Sequence, residues 1–161
     1  MKPAGLCHTG CMDIRRARSD DVDELVRIIN LAFQVEKFFI AADRIDLAQV
    51  RDFHTKGEFL IADGRGCVYI EPRGDRCYLG LLSVDPLAQG TGLGRELMRA
   101  AEDRARELGC SFMDLRIVNL RTELPAFYHR MGYGENGTSE FPAEHPTLLP
   151  CHFIHMTRPL R

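Results

Sequence analysis

The chain has 161 residues, 45% of them hydrophobic and 27% charged, which is the composition of one globular domain with its own core. Its 21 Lys and Arg against 23 Asp and Glu give a formal net charge of -2. That excludes an electrostatic footprint for sequence-independent nucleic-acid binding, and no apolar run approaches the roughly 20 residues of a membrane helix.

Residues 1–12 hold Gly, Pro and Thr without periodicity and read as a flexible lead-in with no apolar signal segment. Residues 13–17 read as a short extended segment. Ser19, Asp20 and Asp21 then give a helix-start signal, with acids in the first turn. Val22, Leu25, Val26, Ile29, Ala32 and Phe33 follow at the spacing of one helix face. Residues 34–43 break the pattern. A second helix is expected from near Asp46 to Gly57, with Gly57 read as a left-handed stop.

From Glu58 the apolar period shortens. Glu58–Ala62, residues 67–71 and Arg76–Val84 read as three strands of an antiparallel meander, joined by Asp63-Gly64-Arg65-Gly66 and Pro72-Arg73-Gly74-Asp75. A glycine-rich stretch follows, then a helix with Leu93, Leu97, Ala100, Ala101, Ala105 and Leu108 on its buried face, closed by Gly109. Residues 111–118 read as a strand. Thr122 is placed to cap the next helix, with Pro125 in its first turn and Leu124, Phe127, Tyr128 and Met131 on one face. Residues 133–135 read as a short strand, 141–150 as a loop with three prolines, and 151–157 as the last strand. There is no repeat and no linker, so residues 13–161 are expected to form one α+β domain.

The six cysteines, at 7, 11, 67, 77, 110 and 151, lack the density of a disulfide scaffold. Reduced thiols and the missing signal predict a cytoplasmic protein. Cys7, His8 and Cys11, with Cys151, His152 and His155, do not match a zinc-site spacing, and His152 and His155 point to opposite faces of a strand. No metal site is expected.

The sharpest feature is Val84-Asp85-Pro86-Leu87-Ala88-Gln89-Gly90-Thr91-Gly92-Leu93-Gly94-Arg95, running from strand through loop to helix. Its glycines let the backbone turn sharply and bring N–H groups close to a ligand, and the helix that follows adds its positive end. The pattern is neither a P-loop nor G-x-G-x-x-G, because Arg95 stands at the third glycine's place. Alone, such a cluster could be a tight turn without a ligand.

Val84, Pro86, Gln89, Gly92 and Gly94 stand in the register V-x-P-x-x-[QR]-x-x-G-x-G. This resembles motif A of the GNAT superfamily of acetyl-CoA-dependent N-acetyltransferases. Phe127-Tyr128-His129-Arg130-Met131-Gly132-Tyr133 resembles the family's motif B, F-Y-x-x-x-G-[FY]. The resemblance covers roughly residues 13 to 157 by element order. It implies a mixed, mostly antiparallel sheet of six or seven strands with four helices, and acetyl transfer to a primary amine by direct attack, with acetyl-CoA as cosubstrate.

The resemblance implies that Gly90, Thr91, Gly92, Leu93, Gly94 and Arg95 hold the CoA diphosphate, with Gln89 beside them. The edge at Leu82, Ser83 and Val84 would take the pantetheine arm as an added strand, and a backbone N–H there would polarise the acetyl carbonyl. Asn119 is a further cofactor contact, although Asn119 and Tyr128 stand slightly further apart than in many members. Tyr128 is the candidate acid for the departing thiolate. No base is singled out; Glu36, Glu71, Glu123, His145 and His152 are all open. The acceptor pocket would draw Phe33, Phe38 and Phe39 from the first helix–helix loop and Phe141, Glu144 and His145 from the late loop. Such a lining suits a small molecule bearing an ammonium group. A homodimer is compatible. Two other readings share the motifs: a non-catalytic acyl-CoA-binding or regulatory module, and an N-acyltransferase using another acyl-CoA.

Overall fold

The computed structural model describes residues 13–161; residues 1–12, with the expected lead-in, lie outside the described residues. Strand β1, Ile14–Arg16, leads through a short 3-10 turn into helix α1, Val22–Ala32, which buries Val22, Leu25, Ile28 and Ile29. Asp21, rather than Ser19, secures this start: its carboxylate accepts the Arg18 N–H at 2.7 Å. Helix α2, Leu47–Lys56, begins with a reciprocal box, in which Gln49 N–H donates to Asp46 Oδ1 at 2.8 Å and Asp46 N–H to Gln49 Oε1 at 2.9 Å.

Gly57 does not stop α2 in a left-handed conformation. Its φ is -156°, which is extended backbone, and glycine is needed because a Cβ there would collide with the Ile70 carbonyl and the Tyr69 ring. Strands β2, Glu58–Ala62, β3, Gly66–Arg73, and β4, Arg76–Val84, form the expected meander. Helix α3, Leu93–Glu107, crosses over to β5, Phe112–Val118. Leu108 lies past the end of α3 and is exposed, while Met98 and the carboxylate of Glu102 join the buried face.

Helix α4, Leu124–Arg130, precedes β6, Gly134–Glu140, and β7, His152–Pro159. Thr122 does not cap α4. The Leu124 N–H is already taken by the Arg121 carbonyl at 3.1 Å, and Glu123 is the flanking residue. Strand β6 is longer than expected because it pairs with β7 as an edge strand exposed on nearly every residue, so it carries no apolar period.

The seven strands lie in the order β1-β2-β3-β4-β5-β7-β6. Every pairing is antiparallel except β4 with β5, which run parallel only from Arg76–Phe112 to Tyr78–Asp114 and then part. Helices α1 and α2 cover one face, over Phe59, Ile61, Cys67, Tyr69 and Leu81. Helices α3 and α4 cover the other, over Val68, Leu79, Leu115 and Ile117. Strand β4 carries a bulge opposite residues 67–69, where Leu81 has φ 55°. The extra residue bends β4 away from β5 and opens the sheet.

Candidate active site

The gap between β4 and β5 is the throat of a cavity of about 1100 Å³. Strand alternation gives it two sides. Leu79, Leu115 and Ile117 face α3 and α4, whereas Tyr78 packs toward α1 and α2 and Arg116 lies 6.0 Å over its ring. The cavity thus passes through the sheet.

At the α3 end, Asp85 Oδ1 accepts the Leu87 N–H at 2.9 Å and starts a 3-10 turn over Pro86–Ala88. Gly90 and Gly92 then adopt φ of 79° and 83°, a region costly to residues with a Cβ. Gly92 directly precedes α3, and the first N–H to bond back along the helix is that of Glu96, to the Gly92 carbonyl at 3.1 Å. The N–H groups of Leu93, Gly94 and Arg95 therefore have no intrahelical acceptor. A Cβ at Gly94 would meet nothing closer than Phe127 and Val84 at 3.8 Å, so the surface above this turn is open.

Of the residues singled out from sequence, Leu82, Val84 and Gln89 line the cavity, as do Gly90, Gly92, Leu93, Gly94, Arg95 and Tyr128. Three do not. Ser83 is buried with its hydroxyl on the Leu81 carbonyl at 2.9 Å, because the bulge turns its side chain away. The Thr91 hydroxyl donates to the Ala88 carbonyl at 2.6 Å. Asn119 Oδ1 accepts the His152 N–H at 2.8 Å and fastens the end of β5 to β7.

Tyr128 is buried on α4, edge-on to Phe127 at 5.0 Å and to Tyr133 at 5.9 Å. Among the described residues none hydrogen-bonds its hydroxyl. Burial raises its pKa well above the ordinary tyrosine value and keeps it a neutral donor. Glu36, Glu123 and His145 also line the cavity. Glu36 accepts from Arg121 at 2.9 Å, yet burial outweighs that charge and raises its pKa. Arg121 also donates to Glu123 at 2.6 Å. Glu71 lies elsewhere, accepting from the Tyr69 hydroxyl at 2.8 Å and Arg73 at 2.6 Å, and His152 is exposed on β7 away from the cavity wall.

On the α1–α2 side, Phe33, Phe141 and His145 line the wall as expected. Phe38 instead points out, half exposed; Phe39 is buried against Val118 and Phe153; and Glu144 is off the wall. Sequence reading missed Arg44, Tyr78, Arg116 and Phe153, which do line it. Strand alternation around Tyr78 and Arg116 was the available signal.

Cys7, His8 and Cys11 lie outside the described residues; among the described residues no three or more His, Cys, Asp or Glu gather as metal ligands. Burial pushes the Cys67 and Cys77 thiols up to about 12, so neither is a ready nucleophile.

The acetyltransferase (GNAT) family model matches residues 24–133. A rice protein (Oryza sativa subsp. japonica) named probable glucosamine 6-phosphate N-acetyltransferase 2 is 27% identical over 154 residues, covering 83% of this chain and 89% of that one. Mycothiol acetyltransferase of Propionibacterium freudenreichii subsp. shermanii is 28% identical over 130 residues, 72% of this chain but 41% of that protein, so this chain spans less than half of that relative. The structure of yncA from Salmonella typhimurium with its cofactor acetyl-CoA superposes with TM-score 0.72 at 21% identity, covering 94% of this chain and 95% of that one. The ribosomal-protein-S18-alanine N-acetyltransferase of Escherichia coli gives TM-score 0.71 at 18% identity, over 93% and 94% of the two chains. These structural likenesses carry the fold, the mixed sheet with four helices, and the family model covers most of the chain: it belongs to the acetyltransferase (GNAT) family.

Proposed function

We propose that residues 13–161 form an N-acetyltransferase domain that moves acetyl from acetyl-CoA to a primary amine, by direct attack and without a covalent enzyme intermediate. The observation that carries this reading is the glycine turn at the start of α3, whose free N–H groups open into a cavity that passes between two diverging parallel strands. When bound, acetyl-CoA supplies a thioester activated for acyl transfer.

Backbone N–H groups of residues 90–95 hold the diphosphate, helped by the positive end of α3 and by Arg95. The edge of β4 at residues 82–84 holds the pantetheine amides, as a neighbouring strand would be held. Ser83, Thr91 and Asn119 have committed side chains, so any contact from the first two is through backbone. A backbone N–H of residues 82–84 would stabilise negative charge developing on the acetyl oxygen. Tyr128 donates a hydrogen bond to the sulfur as it departs. Glu36, Glu123 and His145 border the space where water accepts the amine's proton, and no one of them is assigned as base.

We place the acceptor, a small amine, on the α1–α2 side, where Phe33, Phe141 and Glu36 wall the cavity. Among the described residues no helix is long and apolar enough to cross a membrane; a cytoplasmic location, compatible with a homodimer, belongs to the same proposal. The test is thiol release from acetyl-CoA against a panel of amines, with mass identification of the N-acetyl product. Amine-dependent release supports the reading. Tight acetyl-CoA binding with no turnover of any amine favours the non-catalytic module, and faster release from succinyl-CoA favours another acyl donor.

A further inference from the structure

The α1–α2 side of the cavity holds positive charge that its own acids leave unmatched. Its carboxylates are already partnered: Glu36 and Glu123 with Arg121 at 2.9 and 2.6 Å, and Asp43 with Lys37 at 3.1 Å. Arg44, in the loop before α2, and Arg116, on β5, also line this wall. Among the described residues neither makes a hydrogen bond or an ion pair. Both are instead held by rings: Arg44 lies 5.4 Å over Phe33, and Arg116 lies 4.3 Å over Phe153. A guanidinium resting on an aromatic face is oriented through its plane, and its N–H edge stays available for a bidentate anion. Glu36 bears on Arg44 electrostatically, and Arg116 does so more weakly and with the opposite sign, so one carboxylate already shared with Arg121 faces three guanidinium groups on this wall. Like charges set together this way repel, and an anion between them turns the repulsion into attraction.

We infer that Arg44 and Arg116 form an anion seat for the acceptor, so that the amine substrate carries a carboxylate or a phosphate. The inference rests on the acetyl-transfer reading for the word acceptor, but the seat can be tested without turnover. It is separate from the place proposed for the cofactor's diphosphate, which lies at the start of α3 with Arg95 and Arg130 nearby on the cavity wall. Glu36 and Glu123 border the same wall, but Arg121 already holds both, so the anionic end of the acceptor is the part that this wall specifies.

The experiment uses matched acceptor pairs in the thiol-release assay. One pair is an amino acid and its carboxamide; the other is an aminoalkyl phosphate and the corresponding amino alcohol. The better pair identifies which anion the seat takes. The anionic member should be preferred by about 10- to 100-fold in kcat/KM, the scale of a charge-assisted bidentate contact. Arg44→Gln with Arg116→Gln should collapse that preference toward one, chiefly through KM, and Arg116→Lys should retain part of it. Equal use of neutral and anionic members by the parent overturns the proposal. So does a double variant whose defect lies in the KM for acetyl-CoA.

A second readout needs no chemistry. Inorganic phosphate, added to protein saturated with CoA, should raise the melting temperature of the parent but not of the double variant. An equal rise in both overturns the seat. If no amine is acetylated at all, the transferase reading fails, and this phosphate titration still decides the seat.

Discussion

Arg158 on β7 donates to Glu102 Oε2 on α3 at 2.6 Å, and the Tyr133 hydroxyl donates to the same oxygen at 3.0 Å. Glu102 is 2% exposed, so this carboxylate depends on both donors. The pairing ties the last strand to the helix whose first turn carries the glycine loop. It also ties that helix to Tyr133, whose ring packs edge-on to Tyr128. The two ends of the cofactor side are thereby linked through one buried carboxylate.

Arg158→Met removes the cationic donor and leaves Glu102 charged in the core. Breaking a buried pair this way typically costs about 3–5 kcal/mol, and the low end applies because Arg158 itself is a third exposed. Urea titration should show a loss of about 3 kcal/mol. Adding Glu102→Gln removes the stranded charge and keeps an acceptor for Tyr133, so the double variant should recover most of that loss. A single variant as stable as the parent would show that the pair is not structurally important.

The meander from Glu58 to Val84, the turn at Gly92 and most of the buried faces of α3 and α4 were legible because periodicity and turn chemistry are local. Other features depend on what the chain meets in space. Gly57 is glycine because of Ile70 and Tyr69, and no local pattern announces that contact. Strand β6, with the sequence Gly134 to Glu140, is paired on one edge and wet on both faces, so hydrophobic alternation never arose. The neighbouring residues Phe38 and Phe39 touch edge to face at 4.9 Å, yet one is half exposed and the other lies in the core beside Phe153, a difference that no local pattern announces. Tyr128 and the glycine loop were found through motif resemblance. Arg44 and Arg116 were missed because a lone arginine in a loop or on a strand looks like solvated surface until the rings beneath it are known.

Acid stability should show the hand of Asp21. Arg15 donates to both of its oxygens at 2.8 Å and, against a smaller opposing effect of burial, holds its pKa near 2 rather than the usual carboxylate range. A depressed carboxylate contributes stability above its unfolded pKa of about 3.9, and that contribution is lost as pH falls through 2. Asp21→Asn should therefore cost about 1–2 kcal/mol at neutral pH, the lower part of the range reflecting the partial exposure of Arg15. The stabilities of variant and parent should converge between pH 4 and pH 2. A gap that persists unchanged to pH 2 would assign the effect to packing rather than charge.

Gly92 and Gly94 separate backbone need from ligand need. At φ 83° Gly92→Ala should cost about 1–2 kcal/mol with or without ligand, because a Cβ is unwelcome in that conformation. Gly94 lies in the first turn of α3 with open space above it, where an acidic side chain is favoured by the helix dipole. Gly94→Glu should thus fold as well as the parent while repelling a bound diphosphate. Acetyl-CoA at about a hundred times its Kd should stabilise the parent by about 2.7 kcal/mol and leave Gly94→Glu unshifted. An equal thermal shift in both proteins would remove the phosphate role from this turn.

Tyr128→Phe tests the proposed acid. No described residue hydrogen-bonds the hydroxyl, so deleting it strands no partner, and the ring contacts with Phe127 and Tyr133 remain. Stability and acetyl-CoA affinity should therefore change little. If the hydroxyl meets charge developing on sulfur, its interaction exists mainly in the transition state, and kcat should fall by about 10²–10⁴-fold where chemistry limits turnover. Burial holds the phenol protonated well beyond the ordinary tyrosine range, so the parent's kcat should show no alkaline loss from this group up to about pH 10. A tyrosine present only to fill the core predicts the opposite pattern, with full kcat and a small change in stability. Full turnover by Tyr128→Phe, with an isotope effect and the absence of a pre-steady-state burst showing that acetyl transfer is the slow step, would sink the assignment.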